Sequence, residues 1–282
     1  MLMAAVVGMQ IWRERHFPLV EPAQEILYVP SPAVLTRLAL SYDAVLADIY
    51  WIRAIQYYGG RRLSDDPVKR YDLLYPLLNL TTSLDPYFGI AYRFGAYFLS
   101  EQAPGGAGQP DLAIALLKKA MQANPDRWEY PHDIAFVYYR LGDYRSAGGW
   151  FRKAAQVPNA TNWLEPMAAV TLTRGGDRQT SRMIFQRIYE SSDQKWLRES
   201  AAWRLQQLEA MDAIDALQRI TAEYERRHGR PPGDWSAVVR AGLLHGVPLD
   251  PAGIPYVLNE WWGTVTVSNT SKMWPLPGQL EQ

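Results

Sequence analysis

The feature that most constrains the fold of this chain is a repeated spacing of small and large apolar residues in its middle third. Three sets of residues follow one another at intervals of 34 residues, and in each set a large side chain stands four residues after the first member. The sets are Ala113, Leu117 and Ala120; Ala147, Phe151 and Ala154; and Ser181, Phe185 and Ile188. A spacing of three to four residues is typical of one helix face, and a period of this length indicates stacked copies of one helical unit.

Each set is preceded by a stretch that predicts a partner helix, over 87–100, 131–141 and 163–173. Gly142-Asp143 and Gly176-Asp177 stand at matching places between paired helices, where glycine can take the left-handed conformation that ends a helix. The pattern resembles the tetratricopeptide repeat. The resemblance covers residues 43–228 and implies a mainly α fold, an α-solenoid of tetratricopeptide-like helix pairs with a small C-terminal helix-plus-hairpin module.

The repeats depart from that pattern in places. The first pair, over 43–86, has Leu74 and Thr81 where small residues are expected, and the second has six extra loop residues within 102–110. A strongly apolar stretch predicts a helix over 43–58 that Gly59-Gly60 ends, followed by a helix over 67–84. Asp48 is the ionisable group that stands out in this stretch, and a contact to a neighbouring arginine or backbone donor is its favoured interpretation. Two helices, over 193–211 and 212–228, are expected to cap the stack.

Residues 1–12 are almost wholly apolar and charged residues begin at Arg13, so 1–16 is predicted to be a membrane-associated start. Its candidate membrane-contacting side chains are Leu2, Val6, Val7, Ile11 and Trp12. Twelve residues rise about 18 Å as a helix, short of the ~30 Å hydrocarbon core. Four interpretations remain open for this start: a remnant of a membrane anchor, a segment that dips into one leaflet, a signal-like segment, or a buried packing helix. Four prolines within 17–42 predict an extended Pro-rich linker.

The C-terminal segment, 229–282, changes character and is rich in turn signals. Asp234 is expected to cap a short helix that Gly242 ends, and 256–258 and 264–267 predict two short strands around Gly263. The sequence of this segment resembles a motif of type II secretion pseudopilins. Since pseudopilins start with a long apolar helix and lack helical repeats, only the small motif carries over, and the favoured interpretation is a local module packed on the last long helix.

Composition and motifs exclude several function classes. Lys+Arg and Asp+Glu both number 29, so the chain lacks the basic excess of a non-specific nucleic-acid binder. The absence of cysteine removes disulfides and thiolate metal sites. The four histidines are scattered without metal-ligand spacing, and no nucleophile motif occurs. We therefore predict no cofactor, no metal and no enzymatic activity.

Aromatic residues are the remaining functional signal, with 11 tryptophans and 17 tyrosines. Most should pack between helices, and the rest can anchor a partner. The repeat register places a candidate partner-binding groove on the first helices of the pairs, at Tyr92, His132, Phe136, Tyr139, Arg140, Trp163 and Arg174. Repeat proteins of the carboxylate-clamp type carry lysine and asparagine there. The mainly aromatic set in this chain favours an apolar or extended segment of a partner.

The whole arrangement is similar to membrane-anchored repeat proteins of bacterial envelopes. This resemblance implies a non-catalytic scaffold or assembly subunit on the periplasmic face of the inner membrane. Its partners would be other protein subunits of a secretion, respiratory or photosynthetic complex. The alternative is a soluble peptide-binding adaptor or assembly factor whose apolar start is packed, and recovery in the soluble fraction without detergent would favour it.

Overall fold

The computed structural model describes residues 39–277 continuously, together with Met9, Trp12, Val34, Leu35 and Arg37. The chain divides into two compact units, Met1–Leu112 (unit 1) and Ala113–Gln282 (unit 2). The predicted boundary between the repeats and the C-terminal segment therefore falls inside unit 2. The predictions for Leu2, Val6, Val7 and Ile11, and for most of the 17–42 linker, lie outside the described residues, whereas Trp12 is described and exposed.

The described part of the chain is mainly helical, as predicted, and consecutive helices pack pairwise within each unit. Over these residues, no helix combines the length and the apolar character needed to cross a membrane. The helices are α1 Asp43–Leu63, α2 Leu74–Leu84, α3 Gly89–Ser100, α4 Pro110–Ala123, α5 Glu129–Arg140, α6 Tyr144–Ala155, α7 Leu164–Arg174, α8 Arg178–Ser191, α9 Lys195–His228 and α10 Trp235–Arg240. Two short strands, β1 Val257–Leu258 and β2 Val265–Thr266, pair antiparallel.

In unit 1, two predicted helix ends were wrong. Helix α1 runs through Gly59-Gly60 to Leu63, since neither glycine adopts a positive φ and helix interiors tolerate glycine at a cost of about 1 kcal/mol. Helix α2 begins at Leu74 instead of Pro67, because the polar residues before Tyr71 offer no apolar face to bury. Asp48 is exposed on α1.

The end of α1 is held by a hydrogen-bonded network around the buried hydroxyl of Tyr58. This hydroxyl donates to Glu101 Oε2 at 2.6 Å and lies 3.1 Å from the carbonyl oxygen of Gly105. Arg62 donates to both the Tyr58 hydroxyl, at 2.7 Å, and Glu101, at 2.9 Å. The contacts join α1 to the glycine-rich loop between α3 and α4, which explains why α1 continues past its glycines.

We expect this network to make folding sensitive to alkaline pH. Burial, reinforced by the hydrogen bond to Glu101, raises the pKa of Tyr58 to about 12. An unfolded tyrosine loses its proton near pH 10, so between about pH 10 and pH 12 the unfolded state binds fewer protons and stability falls as pH rises. Tyr58→Phe should make this loss shallower, by at most ~1 kcal/mol per pH unit. Urea unfolding across the range measures it, and exposed Tyr87→Phe should leave the slope unchanged.

In unit 2, the residues of the 34-residue period occupy equivalent buried positions. All nine members of the three sets are buried. Gly142 and Gly176 adopt φ values of +78° and +80°, and the carboxylates of Asp143 and Asp177 then accept hydrogen bonds from the backbone N–H groups of Ser146 and Thr180. Each pair is thus separated by a left-handed glycine and a capping aspartate.

Helix α9 is one continuous helix of 34 residues, so the prediction of two helices meeting at Met211-Asp212 was wrong. No glycine or proline interrupts it. Asp212 does not cap a helix start; its carboxylate accepts hydrogen bonds from Arg178 and Arg182 of α8. The carboxylate of Asp212 thus joins α9 to α8.

The C-terminal segment packs on α9, where it forms a core of its own. Asp234 caps α10 by accepting from Ala237 N–H, and Gly242 follows with a φ of +71°, as predicted. Buried Trp235 and Tyr256 share this core with Leu217 of α9. The amide of Gln207, also on α9, donates to the carbonyl oxygens of Met273 and Pro275 at 2.9 Å.

Candidate aromatic binding site

A stripe of rings follows one face of α5 in unit 2. Trp128 precedes the helix, and His132, Phe136 and Tyr139 succeed it at intervals of four, four and three residues, which places them on the same face. Ring centroids are 5.6 Å apart between Trp128 and His132, 4.9 Å between His132 and Phe136, and 6.3 Å between Phe136 and Tyr139. The stripe is therefore continuous along the helix.

Helix α7 contributes a residue at each end. The ring of Trp163, at the start of α7, lies 6.0 Å from that of Trp128 and 5.6 Å from that of His132. At the other end, the Arg174 guanidinium donates to the Tyr139 hydroxyl at 2.6 Å. The start of α7 contacts the start of α5, and the end of α7 contacts the end of α5. The two helices therefore lie side by side and run in the same direction. We call Trp128, His132, Phe136, Tyr139, Trp163 and Arg174 the aromatic site.

Helix α6 supports the aromatic site from beneath. Buried Phe151 lies edge-on to Phe136 at 5.5 Å and to His132 at 5.7 Å. Tyr144, at the start of α6, contacts Tyr139 at 5.1 Å and places its ring 4.2 Å from the Arg174 guanidinium carbon. The guanidinium is thus held by two tyrosine rings, an arrangement in which cation and ring faces attract each other.

The exposed tops of the site are apolar. Phe136 and Trp163 keep 40% and 38% of their surface exposed although their neighbours are packed. His132 Nδ1 lies 3.0 Å from Asp133 Oδ1, and both side chains are largely covered. No group of three potential metal ligands occurs among the described residues. Rings held rigidly with exposed faces can bind apolar side chains and an extended backbone at low entropic cost.

The structure brings together five of the seven predicted groove residues: His132, Phe136, Tyr139, Trp163 and Arg174. Arg140 is exposed at the end of α5. Tyr92 was wrongly predicted, because its side chain is fully buried in unit 1 and its hydroxyl donates to the carbonyl oxygen of Thr82 at 3.2 Å. It cannot line a free groove.

The error at Tyr92 comes from the length of one loop. Buried Ala91 and Ala96 of α3 correspond to buried Tyr130 and Ala135 of α5, a spacing of 39 residues. Counting six extra loop residues had implied a spacing of 40, which exchanged a core position for a surface one. With the observed spacing, Tyr97 is the α3 counterpart of Phe136, and its side chain is exposed.

Two residues were not predicted from the sequence: Trp128, which belongs to the aromatic site, and Tyr144, which supports it. Trp128 precedes the predicted helix start at Pro131, and Tyr144 follows the turn at Gly142-Asp143, so neither was counted on a helix face. The spacing of four between Trp128 and His132 could have revealed the first. The second needed the fold, because Tyr144 reaches the site from another helix.

No protein-family model, no curated protein and no solved structure matches this chain.

Proposed function

We propose that this protein is a non-catalytic scaffold or assembly subunit that grips partner subunits through its helical repeats. The observation that carries the proposal is the aromatic site, where Phe136 and Trp163 present exposed ring faces above a packed base. Rigid aromatic anchors of this kind dominate the binding energy of protein interfaces. The matching turns, caps and buried positions at a 34-residue interval support the interpretation of the helix pairs as tetratricopeptide-like units of an α-solenoid.

The chemistry of the site favours a partner segment with apolar side chains in an extended or helical conformation. The ring faces of Phe136 and Trp163 provide apolar contact area. A segment that places an apolar side chain against these rings would bury the area that they expose.

The setting we propose is the periplasmic face of the inner membrane, with the N-terminal residues 1–16 as the attachment and a secretion, respiratory or photosynthetic complex as the source of partners. This part of the proposal is supported by the apolar sequence of the start, with Leu2, Val6, Val7, Ile11 and Trp12 as contacts. Membrane fractionation of the full chain tests it, since release without detergent would contradict attachment.

The double variant Phe136→Ala, Trp163→Ala should lose its partner. Removing two anchors should weaken binding by at least about 2 kcal/mol, roughly 30-fold in Kd. The measurement is co-purification from membranes, followed by titration with the recovered partner. Trp196→Ala is a matched control, because this tryptophan is exposed at the start of α9 outside the aromatic site. Equal partner recovery for the double variant and the wild type would refute the proposal, provided that both melt as folded proteins.

A further inference from the structure

The C-terminal part of unit 2 carries a second exposed apolar surface, built on paired extended segments. Leu249 pairs with Pro255 in an antiparallel bridge, and extending this register places Val247 opposite Val257. Buried Tyr256 and Val265 point to the core below, so the alternate residues face outward. We call this outward set, completed by the adjacent turn, the C-terminal apolar face: Val247, Leu249, Pro255, Val257, Trp261 and Trp262, all exposed.

Two adjacent tryptophans project from the turn between β1 and β2. Trp261 and Trp262 are 76% and 78% exposed, and neither indole N–H bonds to any residue that the structure describes. Their backbone is nevertheless fixed, because Asn259 Oδ1 accepts hydrogen bonds from both backbone N–H groups at 3.0 and 3.1 Å. The N–H of Gly263 closes the turn by donating to Asn259 O at 2.8 Å. The side chains are thus presented to solvent by an ordered turn.

The turn is also anchored from behind, on α9. The hydroxyl of buried Thr221 donates to the carbonyl oxygen of Gly263 at 2.8 Å. Gly263 has a φ of +63°, and a side chain there would approach Pro231 at 3.5 Å. Because the backbone of the turn is held on both sides, it loses little further conformational entropy when a surface covers the tryptophans.

The segment that carries the face contains few charged residues. Among residues 241–277, the sequence contains three acidic or basic residues besides His245, namely Asp250, Glu260 and Lys272. Asp250 is buried and accepts hydrogen bonds from the backbone N–H groups of Ala252 and Ile254 at 2.9 Å. The remaining two charges are exposed and opposite in sign. The exposed charges of this segment therefore cancel, which suits a surface without net charge.

We infer that the C-terminal apolar face docks on the interfacial zone of a lipid bilayer. Tryptophan prefers the boundary between headgroups and acyl chains, where its ring is apolar and its N–H remains hydrated. The six side chains of the face fall well short of the roughly 20 to 30 residues a side that a stable protein interface or dimer uses. Their neutrality matches a zwitterionic headgroup layer. This inference concerns different residues from the aromatic site and does not depend on it.

A fluorophore placed on the turn tests the inference in the full chain. The chain has no cysteine, so Glu260→Cys permits a single environment-sensitive label beside both tryptophans. Met183→Cys, on the exposed surface of α8, provides the matched label site. On addition of pure phosphatidylcholine vesicles, the label at position 260 should shift to the blue and the label at 183 should not.

Each other outcome overturns the inference. Vesicle binding without a shift at position 260 would mean that another segment, such as residues 1–16, makes the lipid contact. A shift at 260 that requires a protein partner instead of vesicles would assign the face to a protein. Trp261→Ser with Trp262→Ser, added to the labelled variant, should abolish the shift and lower the fraction of label in lipid at least tenfold. A shift that survives both substitutions would also contradict the proposal.

Discussion

Gly148→Ala is expected to lower the free energy of unfolding by about 2 to 3 kcal/mol. A Cβ at this position would lie 2.5 Å from Leu172 Cγ and 3.0 Å from the backbone N of Leu172. The leucine side chain can turn away, but the backbone of α7 cannot move without disturbing its own helix. The extra methyl group must therefore push α6 and α7 apart, and the packing beneath the aromatic site opens with them.

The neighbouring glycine provides a control within the same helix. Gly149 has no heavy atom within 4 Å of the position where its Cβ would stand. Gly149→Ala therefore gains helix propensity without a clash and should stabilise the protein by about 0.5 to 1 kcal/mol. Urea denaturation of both variants measures the difference. Two variants of equal stability would contradict the close approach of α6 and α7 at Gly148.

The repeats show which parts of the fold can be predicted from sequence. Gly142 and Asp143 act through the backbone of adjacent residues, so their conformation and capping role follow from local chemistry. The left-handed turn at Gly142 was predicted at the correct place, whereas the capping role of Asp143 was not predicted. The sequence pattern points to Ala147 as the small residue of its helix pair, and Ala147 is fully buried. The close approach of Gly148 to Leu172 of α7 was not predicted.

The failed predictions have different physical causes, among them a distant contact that the sequence does not display and the length of one loop. Gly59-Gly60 ends a helix by local preference, but the network of Tyr58, Arg62 and Glu101 stabilises the continued helix. Helix α9 continues through Asp212, whose carboxylate contacts two arginines of α8. The misplacement of Tyr92 followed from one residue of loop length, because a shift of one position on a helix rotates a side chain by about 100°.

For the same reason the candidate site was only partly predictable. A spacing of three or four residues places His132, Phe136 and Tyr139 on one face without knowledge of the fold. The partners that complete the site, Trp163 and Arg174, follow from the repeat period. Tyr144 and Phe151 reach the site from α6, so their contribution depends on how three helices pack.

Phe151→Ala is expected to destabilise the protein by about 3 to 5 kcal/mol, the usual cost of removing a buried phenylalanine. Its ring is buried among alanines of α5, α6 and α7, including Ala135, Ala154 and Ala168, and these short side chains cannot fill the cavity. Phe136→Ala removes the same side chain from a position that is 40% exposed. It should cost about 1 kcal/mol or less.

The comparison of these two variants separates support from recognition. Phe151→Ala should lower the melting temperature strongly and loosen His132 and Phe136, so partner binding falls only because the site is less ordered. Phe136→Ala should leave the melting temperature nearly unchanged and still weaken the binding of the partner. Thermal unfolding and partner titration on both proteins test this division. A large stability loss for Phe136→Ala would make its ring part of the core and would remove the central anchor from the proposed binding surface.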